Sequence, residues 1–217
     1  MSGVEPASFR WDAGAVSGVW HHPPRGDTYV VLGHGAGGTL HTPGLAQFAD
    51  ALAARGVGAV RFNFPYAEAG RRVPDPRARL EACYRAVAAE ATARAPRVFL
   101  GGRSMGGRIA SQVAAAGVPA AGLIFLSYPL HPPGEPGRLR TAHLSSIRAP
   151  MLFLQGSKDS FALPDLLAEA VARLPTATLH VVEGADHGLR VRGRAADDVV
   201  RELADVATAW IAAVGAA

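Results

Sequence analysis

Five short runs of this chain barely alternate between apolar and polar residues: TYVVLG (28–33), VGAVRF (57–62), RVFLG (97–101), GLIFLS (122–127) and MLFLQG (151–156). A strand written this way is covered on both faces. A sixth run, ATLHVV (177–182), follows the same spacing. Helical stretches rich in alanine separate the runs. One is expected at 43–55, with Thr42 as cap and Pro43 in the first turn. Another covers DPRARLEACYRAVAAEATA, with Asp75 as cap and Pro76 at the first position. Others are expected at 105–116, 163–174 and 197–213. Strands alternating with helices predict an α/β fold: a mostly parallel central sheet of right-handed crossovers with helices on both faces. Residues 9–20 alternate more strictly and predict an antiparallel edge pair. Ligands bind beyond the carboxyl ends of such strands, so the chemistry is expected in the loops that follow them.

The 217 residues suit one domain, 1–217, with no internal repeat or linker. The net charge of +4 comes almost wholly from arginines scattered among acids, and Lys158 is the only lysine. That pattern reads as surface solvation rather than a nucleic-acid face. Cys83 is the only cysteine, which excludes an intrachain disulfide, and it is expected in a helix-packing face. The opening MSGVEPASFRWD lacks the apolar core of a signal peptide. Residues 113–130 carry no charge and are long enough to suggest a membrane span, but Gly117, Pro119 and Gly122 interrupt them. A helix end, a turn and a buried strand account for them better. The expectation is a cytoplasmic protein with no membrane partner.

GGRSMGGR (101–108) lies between a predicted strand and a predicted helix. Glycine weakens both elements, so four in eight residues need a cause. Gly102-Arg103-Ser104-Met105-Gly106 fits G-x-S-x-G, a turn that holds a serine in a strained conformation with its oxygen exposed. Side chains at Gly102 or Gly106 would collide with the neighbouring strand or helix. The helix that follows aims backbone N–H groups where an oxyanion would form, Met105 first. A second glycine-rich loop, His34-Gly35-Ala36-Gly37, follows the 28–33 strand and is expected to supply another oxyanion donor from Ala36. His34 is expected to support this loop rather than carry protons.

A serine needs a base, and the base an orienting acid. For this elbow the order is serine, acid, histidine. Asp159 follows the 151–156 strand and His187 follows the 177–182 strand, on the edge where Ser104 lies. Asp186 abuts His187, and adjacent side chains rarely face each other. Glu183 fits a turn, His180 lies within a strand, and His21 and His22 come too early. His131 and His143 lie after the 122–127 strand and could face the pocket.

With LGHGAGG, FNFPY (62–66), GGRSMGGR, LSYPLHPPG and LFLQGSKDSF in place, the chain resembles the α/β-hydrolase superfamily over essentially its full length. It is most similar to a small lid-less branch near the dienelactone hydrolases. The resemblance implies Ser104 as nucleophile, Asp159 as acid, His187 as base, Ala36 and Met105 as oxyanion donors, and no cofactor or metal. Dienelactone hydrolases proper use a cysteine nucleophile where this chain has Ser104, so their lactone substrate does not transfer.

The expected activity is cleavage of small carboxylic esters or thioesters, with a small-molecule ester as partner. A peptidase or amidase would use the same residues. A non-catalytic interaction module is the other reading, because relatives of this branch include a subunit of a histone-acetylating complex. Residues 128–150 are proline-rich and too short for a helical lid, which predicts an open cleft. His34, Tyr66, Arg103, Tyr128 and His131 are candidate cleft residues. Arg103 could attract an anionic substrate, and Arg108 is expected in a structural ion pair.

Overall fold

A computed structural model describes residues 3–215; the expected 1–217 domain extends two residues beyond these at each end. The elements, in order, are β1 (Gly3–Trp11), β2 (Gly14–His22), β3 (Thr28–Gly33), α1 (Pro43–Ala54), β4 (Gly58–Phe62), α2 (Pro65–Glu68), α3 (Arg77–Arg94), β5 (Arg97–Arg103), α4 (Met105–Ala115), β6 (Leu123–Leu126), a 3₁₀ turn (Leu144–Ser146), β7 (Met151–Gly156), α5 (Pro164–Ala172), β8 (Ala177–Val182) and α6 (Ala196–Gly215). The strands form one sheet in the order β1-β2-β4-β3-β5-β6-β7-β8. β1 and β2 are an antiparallel hairpin that joins β4 antiparallel; every other pairing is parallel.

The apolar runs are buried as their composition requires. β4, β6 and β7 are buried throughout, whereas β8, at the sheet edge, is largely half-exposed. Two cores result, one on each face. α3 and α4 cover the first, built around Phe62, Tyr84, Phe125 and Phe153. α1 and α6 cover the second, built around Leu32, Leu45, Leu154 and Leu203. Cys83 lies in the first core, as expected, and burial pushes its thiol up to about 12. The uncharged 113–130 segment divides into the end of α4, a turn and β6. No helix among the described residues is long and apolar enough to cross a membrane.

Thr42 is the N-cap of α1, as expected, though not through its side chain, and the expected Asp75 cap of α3 is corrected. Thr42 flanks α1, but its hydroxyl donates to the Thr39 carbonyl (2.8 Å) and accepts the Thr39 N–H (3.2 Å), so it closes the preceding loop instead. α3 begins at Arg77 with Pro76 flanking it, while Asp75 pairs with Arg71 (2.7 Å) and Arg79 (3.5 Å). β5 runs two residues further than its apolar pattern, because Gly102 pairs with Gly33 and Arg103 with Leu126. That extension carries the chain to Ser104 at the carboxyl edge.

Candidate active site

Ser104 sits between β5 and α4 with φ 51° and ψ −114°, a conformation that costs an L-residue roughly 1–3 kcal/mol and persists only when its surroundings enforce it. They do so through backbone contact. A Cβ at Gly102, itself at φ 147°, or at Gly106 would overlap the Gly33 carbonyl oxygen at the end of β3. The strand can therefore turn directly into the helix.

The imidazole of His187, from the loop after β8, meets this serine: Nε2 is 2.9 Å from Ser104 Oγ. Its Nδ1 is 2.7 Å from Asp159 Oδ2. A carboxylate only accepts, so Nδ1 carries the proton and Nε2 is free to accept from the serine hydroxyl. Asp159 is buried. Its Oδ1 accepts the Phe161 N–H (2.8 Å), and its Oδ2 also accepts from Gln155 Nε2 (2.5 Å). The Phe161 ring lies against the imidazole, centroids 4.3 Å apart. The two loops are tied together, since Lys158 N–H donates to the Ala185 carbonyl (2.9 Å). Ser157 links Glu183 to the Gly184 N–H, so Glu183 stabilises the turn as expected. Asp186 turns away from the imidazole and accepts from the N–H groups of Gly188 and Arg190 and from the Arg190 guanidinium.

The loop after β3 passes beside the serine: a Cβ on Gly35 would stand 3.6 Å from Ser104 Cβ. Neither the Ala36 N–H nor the Met105 N–H has a hydrogen-bond acceptor among the described residues. His34 lies fully buried beneath this loop. Its Nδ1 donates to the Gly35 carbonyl (2.8 Å), its Nε2 accepts the Phe64 N–H (3.0 Å), and burial lowers its pKa to about 4. It supports the loop, as expected, and it cannot reach a substrate, which corrects its place among the cleft residues.

Three further cleft candidates are corrected. Tyr66 is buried with its hydroxyl between the Gly37 N–H (3.2 Å) and the Gly35 carbonyl (3.3 Å), and burial pushes it up to about 12, so it braces the loop from below. Tyr128 is buried and donates to the Arg140 carbonyl (3.0 Å). His131 is buried, with Nδ1 donating to the Pro132 carbonyl (2.9 Å). The two hydroxyls and His131 Nδ1 each meet a backbone group, while His131 Nε2 is buried without a partner among the described residues. His143 likewise turns to Ser111 Oγ (2.7 Å). Arg108 makes no ion pair among the described residues; its carbonyl instead accepts from Ser111 Oγ (2.7 Å).

Arg103 does line a cavity. About 710 Å³ lies between the start of α1, the start of α6 and the loop 186–190, with Arg103 and His187 in its wall. Sequence reasoning missed this cavity and also Gln155. The signal for Gln155 was there: one amide at the end of the wholly apolar run MLFL, four residues before Asp159. Among the described residues no group of three or more His, Cys, Asp or Glu is placed to hold a metal ion.

A strained serine elbow at the carboxyl edge of an eight-stranded sheet in this order defines the α/β-hydrolase class of fold. Residues 26–215 match the alpha/beta hydrolase domain family, and the chain belongs to that family. Solved structures share the whole architecture at low identity. An α/β serine hydrolase homologue from Coxiella burnetii is 20% identical, with 93% of this chain and 94% of that one covered and a TM-score of 0.76. A dienelactone hydrolase from Anabaena variabilis is 18% identical, with 96% of each chain covered and a TM-score of 0.76. A lid-less α/β serine hydrolase from Xanthomonas campestris is 23% identical, with 95% and 94% covered and a TM-score of 0.74. Here too the segment between β6 and β7 holds one 3₁₀ turn and no lid helix.

Proposed function

We propose that this chain is a serine hydrolase that cleaves small carboxylic esters or thioesters through an acyl-enzyme. The observation that carries the reading is the relay from Ser104 Oγ through His187 to Asp159, at 2.9 and 2.7 Å, starting from a strained elbow. His187 takes the serine proton as Oγ attacks the carbonyl carbon. Asp159 keeps the imidazole in the accepting tautomer and stabilises the imidazolium. The N–H groups of Ala36 and Met105 receive the oxyanion. The imidazolium then protonates the leaving alcohol or thiol, and a water that gives its proton to His187 releases the acid. Gln155 and the Phe161 N–H hold Asp159 and act as positioning groups.

The test is covalent labelling with a fluorophosphonate together with hydrolysis of short p-nitrophenyl esters. Labelling at Ser104 and turnover of the short esters are expected. With no lid helix over the site, short esters should be cleaved faster than emulsified long-chain ones. A folded protein that neither labels nor hydrolyses a broad ester and thioester panel would overturn the reading.

A further inference from the structure

The cavity beside His187 has a composition that the hydrolysis mechanism does not explain. Its wall joins an apolar side, with Leu45, Phe48, Leu126 and Leu203, to a polar one that includes Asp186 and Arg190, and its volume suits a drug-sized organic group rather than an acetyl. Into this wall projects Arg103, half-buried. Its guanidinium makes one hydrogen bond, a long one to the His187 carbonyl (3.4 Å), and no ion pair among the described residues. Lys158 stands exposed at the rim, also without an ion pair among the described residues. The nearby carboxylates are engaged elsewhere, Asp186 with Arg190 and Asp159 with His187 and Gln155. Burial, together with the Arg190 charge, lowers the affinity of Arg103 for its proton and outweighs Asp186 and Asp159, which favour the cation through space without pairing with it. An anion in direct contact would supply a stabilisation it lacks. A planar guanidinium fork matches a carboxylate in a way a neutral ester group does not.

We infer that this cavity takes an apolar group ending in a carboxylate, held by Arg103 with Lys158 at the rim, so that the substrates are anionic esters. The inference rests on the hydrolase reading for the word ester, but the anion site itself does not. The carboxylate can belong to the acyl part, as in a monoester of an apolar dicarboxylic acid, or to the alcohol part, as in an ester of an apolar hydroxy acid.

Binding is measured first, by calorimetry with 4-phenylbutyrate and its neutral amide. The carboxylate should bind about ten- to a hundredfold more tightly, the range of a hydrogen bond to a charged group, and Arg103→Gln should abolish the difference. Equal binding of acid and amide, or a difference that survives Arg103→Gln in a folded variant, overturns the inference. Should that variant not fold, Lys158→Gln and salt keep it testable: the preference should drop about two- to threefold in Lys158→Gln and shrink between 20 and 500 mM salt, and a salt-independent preference overturns it. Turnover then places the carboxylate. Comparing p-nitrophenyl hydrogen adipate with p-nitrophenyl valerate probes the acyl part, and comparing O-acetyl-6-hydroxyhexanoate with hexyl acetate probes the alcohol part. A higher kcat/KM for the anionic member of one pair is expected. Neutral esters cleaved as well as both anionic ones would sink the anionic-ester inference and leave the hydrolase reading standing. Carboxylate binding lost in Arg103→Gln with no ester cleaved would do the reverse.

Discussion

Against one face of the sheet, Phe62, Phe64 and Tyr84 interlock at centroid distances of 5.1 to 6.5 Å, and Phe125, Tyr128 and Phe153 at 4.8 to 5.5 Å further along. Against the other, Leu, Val, Ile and Ala predominate, and Phe48 and Phe99 are the buried aromatics. Tyrosines on the first face turn their hydroxyls to backbone groups: Tyr84 OH accepts the Gly101 N–H (2.8 Å) and reaches the Val31 carbonyl (2.9 Å). Smaller side chains leave the second face open where α1 and α6 begin, and the cavity lies there. Ser104 stands at the boundary. The aromatic face holds the loop after β3 from below, through His34 and Tyr66, and the aliphatic face contains the cavity.

The largest effect should come from the boundary residue. Ser104→Ala should cut ester hydrolysis by about 10³-fold or more, since nucleophile and base act as a unit. The melting temperature should stay level or rise, as the variant adds no bulk at a strained position. Equal turnover by the variant would move the nucleophile elsewhere. The next comparison is between the faces themselves. Phe125→Ala should cost about 3–5 kcal/mol of stability, because interlocked rings cannot collapse into the hole. Leu203→Ala, beside existing empty space, should fall near the lower end of the leucine range, about 2 kcal/mol. Urea unfolding of both variants measures this, and equal losses would erase the distinction.

Acid should act on the aromatic face through two histidines. His34 and His143 both have their pKa lowered to about 4, His34 by burial and His143 by burial and then the charges of Arg77 and Arg108. In the unfolded chain each binds a proton near pH 6.5, while the folded chain refuses it until about pH 4. Their contribution is therefore present in full above pH 6.5 and is lost as pH falls from 6.5 towards 4. For fully buried His34 the limit is roughly 3 kcal/mol. Unfolding free energies at pH 7 and pH 5 should differ less in His34→Asn than in the wild type; an unchanged slope would assign the acid sensitivity to other groups. The smallest effect tests the open face. Val200→Phe puts a ring into the cavity wall, so stability should shift by no more than about 1 kcal/mol. KM should rise about tenfold for bulky esters and less for acetates.

The two faces also differ in how far they could be read from the sequence. Strand positions and the order Ser104, Asp159, His187 were legible because the constraints are local: an apolar run must be a covered strand, and a loop residue after it must reach the shared edge. The roles of Tyr66, Tyr128 and His131 were not legible. A ring with a polar tip near a strand end looks the same in sequence whether the tip meets a ligand or a backbone carbonyl, and packing decides between them. The absence of a side-chain cap at Thr42 has a related reason, since its hydroxyl finds a nearer partner in its own loop. The cavity was invisible because its wall comes from segments around positions 45, 103, 158, 188 and 200, each of which reads alone as an ordinary helix face or loop.

The contact of Gly33 with Gly102 and Gly106 joins β3, β5 and α4 through main chain alone. No rotamer lies between the serine and the framework that carries it. Either core could thus be redesigned side chain by side chain, for heat tolerance or for a new guest in the cavity, with the Ser104 oxygen held in register. The same joint leaves no neutral drift at Gly102 or Gly106, where a single methyl group would have to push strand and helix apart, and only a tight fit at Gly33.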